Sequence, residues 1–142
     1  MANINQVFCM LSWDRDEKTQ QEGIREAQKI EYLSVLFQPI ESKSVWENCA
    51  KVLASKRDDV LDKYIFDMFR WLQDMNWPGA DIIYNRLLLM PADMLAWKFQ
   101  RILADAIALN DEPWIRCLLA FEQEYESAHS AEDRLKMADN TP

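Results

Sequence analysis

The chain has 142 residues, of which 49% are apolar and 28% charged, with a formal net charge of −8. That length suffices for one ordinary domain, residues 1–142, and the composition is far from that of a disordered segment. The negative balance argues against a general affinity for nucleic acid or anionic membrane, and a basic protein is its natural complement.

Only two glycines occur, Gly23 and Gly79, so tight hairpins and phosphate-cradling loops lack the left-handed positions they need, and helices are expected. The opening MANINQVFCMLSWDRDE has no basic segment followed by a sustained apolar run. Nowhere does the chain approach the roughly 20 apolar residues that cross a bilayer, and a cytoplasmic location is expected. Asn3 to Ser12 carries no clear period, so residues 1–12 are expected to form a loosely ordered arm or a short docking segment. Asp16 to about Ile30 is rich in helix formers, with Asp16 and Glu17 where the helix dipole favours negative charge, and predicts a polar, solvent-facing first helix. EYLSVLFQPI follows; Pro39 biases Gln38 toward extended conformations, which predicts a buried extended linker.

Ser44 and Glu47 have capping-box spacing, and Val45, Trp46, Cys49, Val52 and Leu53 recur behind them as one buried stripe, so a second helix starts there. Lys56 to Asp58 turns the chain. Val60, Leu61, Tyr64, Ile65, Met68, Phe69 and Leu72 then show the strongest helical period, a third helix. Pro78 and Pro91 each precede a fresh pattern, predicting helices near Pro78–Leu89 and Ala92–Leu109. Asn110 and Asp111 punctuate the chain before a sixth helix with Trp114, Ile115, Leu118, Leu119 and Tyr125; residues 128–142 are expected to be loosely ordered. The predicted fold is therefore all-α, with about six helices.

The segment from Trp46 aligns with the segment from Ala80, 34 to 35 residues later, short helix on short helix and long on long, and a third copy would begin near Trp114. Helix pairs at this period stack into layers of the HEAT or armadillo sort, because one pair cannot bury its apolar faces alone. The alternative is a plain six-helix bundle.

Catalysis has no visible foothold. His129 is the only histidine, and there is no glycine-rich phosphate loop, HExxH, CxxC or nucleophile elbow. Cys9, Cys49 and Cys117 lack metal or redox spacing and are expected to be packing residues in a reducing compartment. Paired carboxylates (Glu22 with Glu26, Asp58 with Asp62, and Glu122, Glu124 and Glu126) are read as solvated helix faces. No cofactor and no metal are expected. Residues 111–142 hold eight acids and three bases, a net −5 of the total −8, which points to an acidic docking surface on the later helices. Glu122 and Glu126 share a helical face there, while Glu124 points away. Of the six tryptophans, Trp71 and Trp97 lie off the densest apolar stripes, so at least one is expected to be exposed at a binding face. The candidate partner-binding residues are Glu122, Glu126, Asp111, Glu112 and Trp97.

The run WLQDMNWPGA, Trp71 to Ala80, reads as a helix–helix corner. Trp71, Asp74, Asn76, Trp77 and Pro78 are its candidate structural residues; the third helix ends near Asp74, two indoles pin the turn, and Asp74 or Asn76 is placed to cap the next helix. With SVWENCAKVLASK upstream and the SWDRDEK opening, this run resembles a bacterial family catalogued as domain of unknown function 5071, from Ser12 to about Glu122. The resemblance implies no reaction. Small acidic all-α proteins similar to this one are met among bacterial immunity proteins, which bind and neutralise cognate toxins, including basic nuclease-type ones; an acidic surface gains association rate and specificity against such a partner. A helical-repeat adaptor of an endogenous complex is the alternative expectation.

Overall fold

The computed structural model describes residues 3–40 and 42–140, the side chains of 130–140 excepted, and among these residues there is no strand. The loose order expected for 128–142 thus falls almost wholly on side chains outside the described residues. At the other end the chain is folded rather than loose. The Asn3 side chain accepts from the Gln6 amide at 2.9 Å, and Gln6 Oε1 accepts from the Asn3 amide at 3.0 Å. This reciprocal cap starts helix α1 (Ile4–Leu11), which buries Val7 and Leu11.

Helix α2 (Glu17–Ala27) is capped by Asp16, which accepts from the Thr19 amide at 2.7 Å. Although polar, it has one packed side. A Cβ on Gly23 would lie 2.8 Å from Met10 Cβ, so only glycine lets α1 and α2 approach this closely. Asn48 ties the pair to the next layer, its Nδ2 donating to Leu11 O at 2.7 Å and to Gln20 Oε1 at 2.9 Å.

The predicted extended linker is instead bent. Leu33–Leu36 form a 3-10 turn that buries Leu33 and Leu36, and Gln38 adopts φ 50°. The flanking residues are held on both sides: Phe37 stacks on Tyr64 with centroids 5.4 Å apart, and Trp46 Nε1 donates to Pro39 O at 2.7 Å. Gln38 takes up the bend between these anchors, which overrides its preference before proline. The capping box at Ser44 is likewise corrected. Ser42 Oγ accepts from the Ser44 amide at 3.1 Å to start a 3-10 turn, Lys43–Val45, and α3 (Trp46–Ala54) continues from it without a side-chain cap. The predicted stripe Val45, Trp46, Cys49, Val52 and Leu53 is buried throughout.

The long third helix is interrupted. It comprises α4 (Asp58–Leu61), a 3-10 turn (Asp62–Tyr64) and α5 (Ile65–Trp71). Lys98 Nζ donates to both the backbone carbonyl and the carboxylate of Asp62, each at 2.8 Å, and pins the break from a later helix. Arg86 similarly reaches Ala54 O, Lys56 O and Asp58 Oδ1, the last at 2.6 Å, and so satisfies carbonyls behind α3. Asp58 and Asp62 are thus ion-paired structural groups.

Helices α6 (Ala80–Leu88), α7 (Ala92–Ala108) and α8 (Glu112–Asn140) complete the chain. α3 and α6 start 34 residues apart, at 46 and 80, and so do α4 and α7, at 58 and 92. In place of a third pair stands the single helix α8. α3 packs on α2 and α6, α5 on α6 and α7, and α8 on α6 and α7.

The corner between α5 and α6 is built around Trp71, which is 0% exposed and donates Nε1–H to Pro78 O at 3.0 Å. Trp46 packs edge-on against both Trp71 and Trp77, at 6.2 and 5.9 Å. Asp74 accepts from the Asn76 amide at 2.8 Å and so stabilises the turn, but neither Asp74 nor Asn76 caps α6. The helix starts at Gly79, whose φ of 84° is left-handed, so Pro78 stands before the helix rather than within its first turn.

The three cysteines sit in different surroundings. Cys9 is exposed, Cys117 half-buried and Cys49 wholly buried, and burial pushes the Cys49 thiol up to about 12. Because the thiolate is the nucleophile, iodoacetamide at about pH 8 is expected to alkylate Cys9 rapidly and to spare Cys49 until denaturant is added. Peptide mapping by mass spectrometry checks this, and equal rates in the native protein would contradict the burial.

Candidate functional site

Helices α7 and α8 lie side by side and enclose an open groove of about 290 Å³. Its α7 wall carries Ala92, Ala96 and Gln100, one helical turn apart, and its floor is Leu95, Phe99 and Phe121. The two alanines leave the space that longer side chains would fill. The α8 wall is Glu122, Tyr125, Glu126 and His129. Phe121, Tyr125 and His129 follow at steps of four, the first pair of rings tilted with centroids 5.9 Å apart and the second stacked at 4.0 Å.

This aromatic row is anchored at its far side. Tyr125 OH donates to Met90 O at 2.5 Å and His129 Nε2 donates to Leu88 O at 2.8 Å, both at the C-terminal end of α6, where helix carbonyls lack intrahelical partners. A carbonyl only accepts, so Nε2 is the donor in this contact. Phe121 also meets Phe69, Phe99 and Tyr84 edge-on or tilted, which joins the groove floor to the core.

Glu122 and Glu126 stand together on the α8 rim, half-buried and exposed respectively, whereas Glu124 turns to α6 and accepts from Tyr84 OH at 2.9 Å. The other candidates lie elsewhere. Asp111 is spent locally, accepting from the Trp114 amide at 3.3 Å as the cap of α8. Exposed Glu112, 3.9 Å from Arg116, lies roughly 15 Å along the helix from Glu122 at 1.5 Å per residue. Trp97 is 63% exposed but sits about 100° further round α7 than Ala96, packed edge-on against Phe66 of α5 at 5.7 Å. The five residues therefore form no single patch.

Sequence reasoning missed Leu95, Phe99, Phe121 and His129 as groove residues. The signal for the last two was present in the i, i+4, i+8 spacing of Phe121, Tyr125 and His129. Among the described residues no three His, Cys, Asp or Glu side chains converge as metal ligands, and no helix is long and apolar enough to cross a membrane.

Packed helices, a helix–helix corner sealed by buried indoles and an acid-rimmed apolar groove make this an all-α helical bundle. The chain belongs to the family described as Domain of unknown function (DUF5071), whose model matches residues 44–139, well over half of its length. The WLQDMNWPGA corner lies inside that stretch, while α1 and α2 precede it. No curated protein and no solved structure matches the chain.

Proposed function

We propose that this protein is a non-enzymatic, cytoplasmic immunity protein that binds and neutralises a basic toxin domain, of nuclease type, through the α7–α8 face. The observation that carries this reading is the apolar groove rimmed by Glu122 and Glu126 on a chain of net charge −8. An apolar site edged by charge of one sign suits a partner of the opposite sign, since the rim raises association rate and rejects wrong partners while the buried part holds the complex. Neither nucleic acid nor membrane is the partner on this reading.

The test is capture of the partner from the native host, followed by calorimetry at low and moderate salt. Reversing Glu122 and Glu126 to Lys is expected to weaken binding by about tenfold or more, chiefly through a slower and less salt-sensitive association. The fold should survive, because both carboxylates stand on the open groove rim, and rim charges that solvent reaches contribute about 1 kcal/mol or less. An acidic partner, or a basic one indifferent to both reversals and salt, would sink the proposal.

Trp97 favours a second reading, an adaptor of stacked HEAT- or armadillo-like pairs. Its ring is exposed on the α5 side, away from the groove, and two separate surfaces suit a protein that bridges two others. Trp97→Ala leaves toxin capture intact on the first reading and removes one of two partners on the second.

A further inference from the structure

Helical spacing carries further, mostly apolar side chains past the end of the groove. Along α7, Ala96, Gln100, Leu103 and Ile107 succeed one another at steps of three and four, and Ile107 is 55% exposed. Along α8, Leu119 lies one turn before Glu122 on the same side and is 45% exposed. From Ala92 to Ile107 this strip spans 15 residues, roughly 22 Å at 1.5 Å per residue, or about four helical turns.

We infer that the groove receives an amphipathic, basic α-helix of about four turns from the partner. The inference rests on the protein-binding reading above and names the element by which the partner engages. Three observations lead to it. The walls are helices whose backbone groups are bonded internally, so an extended segment would find no sheet edge to pair with, whereas a helix brings its own hydrogen bonds. The cavity of about 290 Å³ lies at the lower bound of small-molecule sites, roughly 300–1,000 Å³, and suits a few anchoring side chains of a larger body. Glu122 and Glu126 are one turn apart, about 6 Å along the axis, the spacing of Lys or Arg at i and i+4 on a docked helix lying beside α8.

Charge also decides against a second copy of this chain as the occupant. Two such grooves face to face would bring four rim carboxylates together between bodies of −8 each, which repel.

The test uses the full chain and three synthetic 15-residue peptides: a Leu/Lys helix with leucines at i, i+4, i+7 and i+11, the same composition scrambled out of register, and a Leu/Glu analogue of the first. Titration followed by amide chemical shifts is expected to show the Leu/Lys helix alone binding, with shifts confined to α7 and α8. Ala96→Phe, which fills the groove, and the Glu122→Lys/Glu126→Lys double variant should each weaken binding about tenfold or more, with circular dichroism unchanged. Equal binding of the scrambled peptide, shifts elsewhere, no binding, or a concentration-dependent dimer abolished by Ala96→Phe would overturn the inference. Failure of the two readings is distinguishable. A captured basic toxin that ignores Ala96→Phe but responds to the double reversal removes the helix-in-groove inference alone; a bound Leu/Lys helix with no toxin captured from the host removes the immunity reading alone.

Discussion

Trp71→Ala is expected to lower the unfolding free energy by about 3–5 kcal/mol, a large fraction of the 5–15 kcal/mol that typical domains possess. Trp71 is, with Trp114, the largest of the fully buried side chains and packs against Trp46 and Phe37 at 6.2 and 6.1 Å, so truncation opens a cavity where α3, α5 and the 33–39 bend converge. It also leaves Pro78 O without the indole donor it meets at 3.0 Å. Trp71→Phe separates the two effects: it keeps much of the packing, loses the donor, and should cost less than the alanine variant. Trp77→Ala should cost less as well, because that indole is only half-buried. Urea unfolding followed by circular dichroism checks the order, and an unchanged midpoint for Trp71→Ala would refute the packing of this corner.

Gly79→Ala is expected to destabilise by about 3 kcal/mol or more, for two additive reasons. A φ of 84° is left-handed and disfavours any residue with a Cβ. The added Cβ would also lie 2.7 Å from Ala50 Cβ and 3.0 Å from Trp46 O, contacts relieved only by moving α6 away from α3. Pairing it with Ala50→Gly removes one contact but not the backbone strain, so the double variant should lose less than the sum of the singles. Strict additivity in thermal and urea midpoints would show that the two helices do not touch here.

Helical period, proline position and glycine scarcity made the all-α fold, the order of the helices from Trp46 onward and the 34-residue offset legible in the amino-acid sequence. These are local properties, in which each residue reports the face it presents. The acidic pair was legible for the same reason, since Glu122 and Glu126 are neighbours on one helix whatever that helix packs against.

What no local pattern contained was every feature made by residues far apart in the chain. The break at Asp62–Tyr64 is held by Lys98, the bend at Gln38 by Tyr64 and Trp46, and the start of α6 by the close approach of Ala50 to Gly79. The separation of Trp97 from the acidic rim follows from which side of α7 meets α5 and which meets α8, and the short alanines of α7 become a groove only beside the aromatic row of α8. Composition and periodicity determined that this chain forms helices with one apolar side; tertiary packing decided which apolar surface was left uncovered, because that depends on the shapes and crossing of pairs of helices rather than on the pattern within either one.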